Sequence, residues 1–160
     1  MNQVQVPKQK DMDFSQAELI QMIHSRDWKL EAVAFSQIVY RKLWHQADWR
    51  DKQGEAFVSF PRFCAEYRWA TNTAYDRAHL ARSPRFEVIR KFDITMSTAQ
   101  RLYAVSDRLF ETLVQALEME LPTSVIQQIL SLPNPTEAQA KRLVEAQIIK
   151  LHKLLQLLET

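Results

Sequence analysis

Apolar residues recur at helical spacing along most of the chain, and capping residues cut that pattern into segments. Ser15-x-x-Glu18 has the capping-box pattern and opens a first helix through AELIQMI. From Asp27 a longer helix, WKLEAVAFSQIVYRKLWHQA, is apolar at Trp28, Leu30, Val33, Ala34, Phe35, Ile38, Val39, Leu43 and Trp44. Its polar residues Gln37, Arg41, His45 and Asp48 recur at three- and four-residue steps, so only a narrow stripe meets water and the helix is the expected central column. DKQGE is a loop, and AFVSF reads as a short strand or an extended lead-in. Ser59 and Pro61 start PRFCAEYR; Thr71 caps NTAYDRAHLAR, which Ser83-Pro84 ends. PRFEVIRKF is a further helix and DITM a turn. Ser97-x-x-Gln100 then opens a long helix through AQRLYAVSDRLFETLVQALEM, broken at Pro122. TSVIQQILSL is short and stops at PNP, and Thr136-x-x-Gln139 caps a terminal helix. Residues 1–13 are polar, contain Pro7, lack periodicity and read as a loose arm.

The terminal helix carries Val144, Ile148, Leu151, Leu155 and Leu158, a heptad seam of about two repeats. Ile149, Leu154 and Leu157 widen it. A face this apolar folds back on its own bundle or pairs with a copy of itself, and the pattern leaves both open.

Composition narrows the function. Gly54 is the only glycine, whereas phosphate-cradling loops and nucleophile elbows need several, which argues against P-loop or Rossmann nucleotide binding and an α/β-hydrolase site. Scarce glycine with abundant Leu, Ala, Gln, Glu, Arg and Lys points to helices. No run of about eighteen apolar residues exists, so no membrane span is expected, and no apolar block follows the N-terminal lysines as a secretory signal requires. Cys64 is the only cysteine, which forbids an intrachain disulfide and suits a cytoplasmic protein. His24, His45, His79 and His152 lie far apart without a second ligand at helical spacing, and no carboxylate pair stands out. The expectation is a non-enzymatic protein with no metal and no cofactor.

Charge is uneven. Residues 26–110 carry 15 Lys/Arg against 10 Asp/Glu, while residues 111–160 carry 4 against 6. A basic middle fits a polyanion partner.

That middle is written twice, twenty-five residues apart: FCAEYRWATNTAYDRAHLARS (63–83) and VIRKFDITMSTAQRLYAVSDR (88–108). A helix–turn–helix needs a small or apolar residue where its helices cross, apolar residues flanking the turn, a small residue one turn into the second helix, and an apolar lock. The second copy supplies Ile89, Phe92, Ile94, Ala99 and Leu102. The first supplies Cys64, Tyr67, Trp69 and Ala74, but Arg77 stands at the lock position, where Ala78 and Leu80 would have to share the task. YRWATNTAY and FDITMSTAQRL resemble the LGVSxxTVxR core of bacterial, phage and plasmid helix–turn–helix DNA-binding proteins, over residues 63–108. Arg68 and Asp93 replace the usual turn glycine; a left-handed conformation there costs an arginine more than an aspartate.

Composition and periodicity predict an all-α fold: a single helical domain of six to eight helices over residues 14–135 and a leucine-rich helix over 136–160, and the resemblance implies tandem helix–turn–helix-like units (59–82 and 85–110) within it. It implies sequence-specific binding of double-stranded DNA by a small regulator of transcription, replication or plasmid/phage maintenance. Outward residues of the second helices would face the major groove: Thr71, Asn72, Tyr75, Asp76 and His79 in the first copy; Thr95, Met96, Ser97, Gln100 and Arg101 in the second. Asn72 and Gln100 suit adenine and Arg101 guanine. Arg68, Arg82, Arg85, Arg90 and Lys91 would neutralise phosphates. Both second helices can scarcely share one groove. A homodimer would set equivalent helices about one DNA turn apart on a roughly palindromic site. The competing expectation is a helical protein–protein adaptor or inhibitor that engages its target through the leucine-rich tail.

Overall fold

The structure, a computed structural model, describes residues 13–159. The expected arm lies outside them except for Asp13, whose carboxylate meets the Arg41 guanidinium at 2.8 Å. The all-α expectation holds. Among the described residues there are nine α-helices, one 3-10 turn (Leu43–His45) and no strand, only an isolated bridge between Arg50 and Ala56.

Cap chemistry sets most boundaries. Ser15 and Glu18 close their capping box at the head of α1 (Gln16–Ile23). Asp27 accepts the Lys29 N–H at 2.9 Å to start α2 (Trp28–Tyr40). Ser59 accepts the Arg62 N–H ahead of α3 (Phe60–Glu66), and Ser83 both ends α4 (Thr71–Arg82) and caps α5 (Pro84–Ile89). Two expected caps shift. Ala70, with no side-chain cap, precedes α4, so Thr71 is its first residue; Thr95, not Ser97, caps α6 (Met96–Ala104) by accepting the Thr98 N–H at 3.2 Å.

The helix count exceeds the six to eight expected because one long helix divides in two, while another is only cut short. Lys42 takes φ 50°, so α2 ends at Tyr40 and Leu43–His45 continues only as a 3-10 turn. Ser106 accepts the Leu109 N–H at 3.3 Å and opens α7 (Asp107–Glu118), dividing the expected helix from 97 to 119 at Val105. There a local cap overrode unbroken apolar periodicity. α8 (Thr123–Leu130) and α9 (Glu137–Leu158) follow, the latter behind the predicted Thr136–Gln139 capping box.

Packing divides the chain into two compact units between Arg90 and Lys91. In the first, α2 is the central column: Glu31 through Ile38 are all buried. Gln37, expected on the wet stripe, is only 4 % exposed, whereas Arg41, His45 and Asp48 do face water. Phe63 is fully buried with its ring 5.0 Å from Tyr67, 5.1 Å from Phe57 and 5.8 Å from Trp49. Aromatic pairs at such spacing gain about 0.5–1.5 kcal/mol beyond area burial.

The second unit holds α6–α9 around the fully buried Leu102, Leu109, Leu113, Ile126 and Ile129. α7 and α8 contact α9, burying Ala140 and half-burying Val144 and Ile148. Beyond that, exposure climbs along the seam: Leu151 37 %, Leu155 56 %, Leu158 83 %. Among the described residues no helix is long and apolar enough to cross a membrane.

Candidate nucleic-acid interface

The first repeat folds as two helices joined by the turn Tyr67–Ala70. The end of α3 explains how. The Trp69 N–H donates to the Cys64 carbonyl at 2.8 Å and the Arg68 N–H to the Ala65 carbonyl at 3.2 Å, the double bond of a Schellman cap. Such a cap requires a left-handed residue, and Arg68 supplies it with φ 60°. Trp69 then lays its ring 4.8 Å from Phe35 of α2, and His24 places its ring nitrogens 2.8 Å from the Ile20 carbonyl and 3.1 Å from that of Tyr67, tying α1 to the turn. Left-handed backbone costs a non-glycine residue about 1–2 kcal/mol. Arg68→Gly is therefore expected to raise unfolding stability by about 0.5–1 kcal/mol after the glycine's own entropy cost. Urea denaturation checks this; a loss of stability would mean that the arginine side chain holds the turn.

The crossing beneath the turn is built from small groups. Cys64, Ala74 and Ala78 are each fully buried, which lets α4 close on its neighbours. Burial pushes the Cys64 thiol up to about 11, against a smaller opposing effect of its hydrogen bond from Thr71. The thiol is thus neutral, and a packing group rather than a nucleophile. The Tyr67 hydroxyl is also raised, first by burial.

Arg77, the anomalous lock residue, is explained by Glu31. Its Nε donates to Glu31 Oε2 at 2.9 Å, with both side chains mostly covered. A buried ion pair fastens α4 to α2 where an aliphatic residue was expected. Arg77 stood out in the sequence as an anomaly at the lock position, but Glu31 did not, although an acid amid the apolar run of α2 was the available signal.

The outward face of α4 is Asn72, Tyr75, Asp76, His79 and Arg82. These residues are not equally free. Thr71 is half-buried at the start of α4, beside the Cys64 thiol. Tyr75 leans on Phe60, ring centres 4.9 Å apart. His79 Nδ1 bonds the Tyr40 hydroxyl, and the Arg82 guanidinium lies 4.0 Å from the centre of the Tyr40 ring. Tyr40 is the member of this cluster that the sequence did not indicate, since nothing local links it to residues 39 and 42 positions later. Arg68, Asn72 and Asp76 stand exposed.

The second repeat is built differently. α5 closes the first unit and α6 opens the second, and Asp93 does not take the left-handed conformation that Arg68 takes. Arg90 is largely covered, its guanidinium 3.1 Å from Glu87 and 5.9 Å from the Phe86 ring, so it is a poor phosphate ligand. Ser97, Gln100, Arg101 and Lys91 are exposed as expected, while Thr98, Ala99 and Leu102 are buried. Within that unit Ser97 and Arg101 of α6, with Ser124, Gln127 and Ser131 of α8, border an open groove of about 480 Å³ that no acidic side chain lines.

Among the described residues no three His, Cys, Asp or Glu side chains gather closely enough to hold a metal ion. No protein-family model matches the chain, and comparison with curated proteins and with solved structures gives no match either.

Proposed function

We propose that the α3–α4 pair binds double-stranded DNA without catalysis, α4 lying in the major groove, in a small regulator of transcription, replication or plasmid/phage maintenance. The observation that carries this reading is the Schellman-capped turn at Arg68 over a crossing of small buried residues, beneath an exposed polar helix face. Recognition helices present their N-terminal residues to base edges. In this reading Asn72, in the first turn of α4, pairs with adenine N6 and N7, and Asp76, one turn on, accepts from cytosine N4. Arg68 ahead of the helix and Arg82 at its end supply phosphate contacts on either side of these readers.

The test separates the two repeats. With a duplex selected from a random pool, Asn72→Ala is expected to weaken binding about 10- to 100-fold while Gln100→Ala leaves it within about twofold. Both side chains are exposed, so neither change should move the unfolding midpoint. Loss on Gln100→Ala with a silent Asn72→Ala would reject α4 as the reading helix.

A further inference from the structure

Over the last ten residues of α9 the apolar side chains are exposed among the described residues. Ile149, Leu151, Leu154, Leu155, Leu157 and Leu158 are each more than a third exposed, and exposure grows towards the C-terminal end as the helix leaves α7 and α8 behind. We propose that this segment docks on the same segment of a second copy of the chain, antiparallel, about a twofold axis beside Lys153.

The register follows from residue types. Ile148, Leu151, Leu155 and Leu158 continue the seam that Ala140 and Val144 begin inside the unit. Centred on Lys153, antiparallel pairing sets Leu151 against the second copy's Leu155 and Ile148 against its Leu158, giving four apolar layers. One flank then puts Leu154 against the second copy's Leu154, and the other His152 against its His152. Lys150 and Lys153 face water. A parallel pair would instead set Leu154 against Glu159, an apolar group against a charge, and bring both sets of α7 and α8 to the same end. Glu145 and the second copy's Glu159 meet only at the edge, where salt screens them. Ile149 and Leu157 remain on the outer side.

The area fits a weak, reversible pair. Ile148, Leu151, Leu154, Leu155 and Leu158, at roughly 80–90 Å² of coverable surface each, give about 800–900 Å² in a symmetric pair, in the range of weak, transient interfaces. The dimer is accordingly concentration-dependent. It stands apart from the DNA reading, because the test contains no DNA.

Cys64 is buried, so an introduced cysteine reports alone. Under mild oxidation Leu154→Cys is expected to form a covalent dimer at least about tenfold faster than Leu158→Cys, because only the former meets its own copy. Leu155→Lys, at an exposed position, should leave helix content unchanged and abolish the dimer seen by light scattering. Faster crosslinking through Leu158→Cys would overturn the antiparallel register. A chain monomeric at every concentration would overturn the proposal outright and leave the stripe to a different protein.

Discussion

Replacing Arg77 by alanine is expected to cost about 3–5 kcal/mol, because it strands the Glu31 carboxylate in the interior without its partner. Glu31 is 8 % exposed and receives the Arg77 Nε–H at 2.9 Å. Domains of this size have a stability of roughly 5–15 kcal/mol, so the single variant's urea midpoint should fall by a large fraction. The double variant Glu31→Leu/Arg77→Leu is expected to recover to within about 1 kcal/mol of the parent or to exceed it, since apolar packing offsets the desolvation that the ion pair carries. A single variant weakened by less than about 1 kcal/mol would mean that water reaches Glu31 and that the α2–α4 contact rests on packing alone.

How far the sequence reached is best seen residue by residue. Two of the three capping boxes were legible: Ser15 with Glu18 and Thr136 with Gln139 both form their reciprocal bonds, whereas Thr95 displaces Ser97 at the head of α6. What failed was the competition between a cap and continued periodicity. Ser106 sits in an apolar pattern that would run on unbroken, yet its hydroxyl takes the Leu109 N–H and the helix splits. Lys42 ends α2 by a left-handed backbone that glycine would normally mark. In a chain with one glycine, such positions fall to Arg26, Lys42, Arg68, Glu120 and Asn134, and the usual signal is missing.

The candidate site was legible to a similar depth. Spacing placed Cys64 and Ala74 at the crossing and Asn72, Asp76 and Arg82 outside, because side chains three and four apart share a helix face. It could not show that Tyr40 would capture His79 and underlie Arg82, or that Arg90 would fold back on Glu87 and Phe86. Those contacts depend on tertiary placement. The two repeats also looked alike in sequence, with the better apolar lock in the second. The buried ion pair makes good the lock of the first, and only the first adopts the left-handed turn.

The second large effect concerns salt. A surface that neutralises two phosphates through Arg68 and Arg82 releases the counterions they displace, so affinity falls with a log–log slope near −1.8. Between 50 and 200 mM salt that is about a tenfold loss. Arg68→Ala should both weaken binding and flatten the slope by about one. Fluorescence anisotropy of a labelled duplex at those two salt concentrations therefore tests most directly whether α4 and its flanking cations engage DNA. The expected result is binding at low salt that weakens about tenfold and is blunted by Arg68→Ala. Binding absent at 50 mM, or indifferent both to salt and to Arg68→Ala, would contradict it.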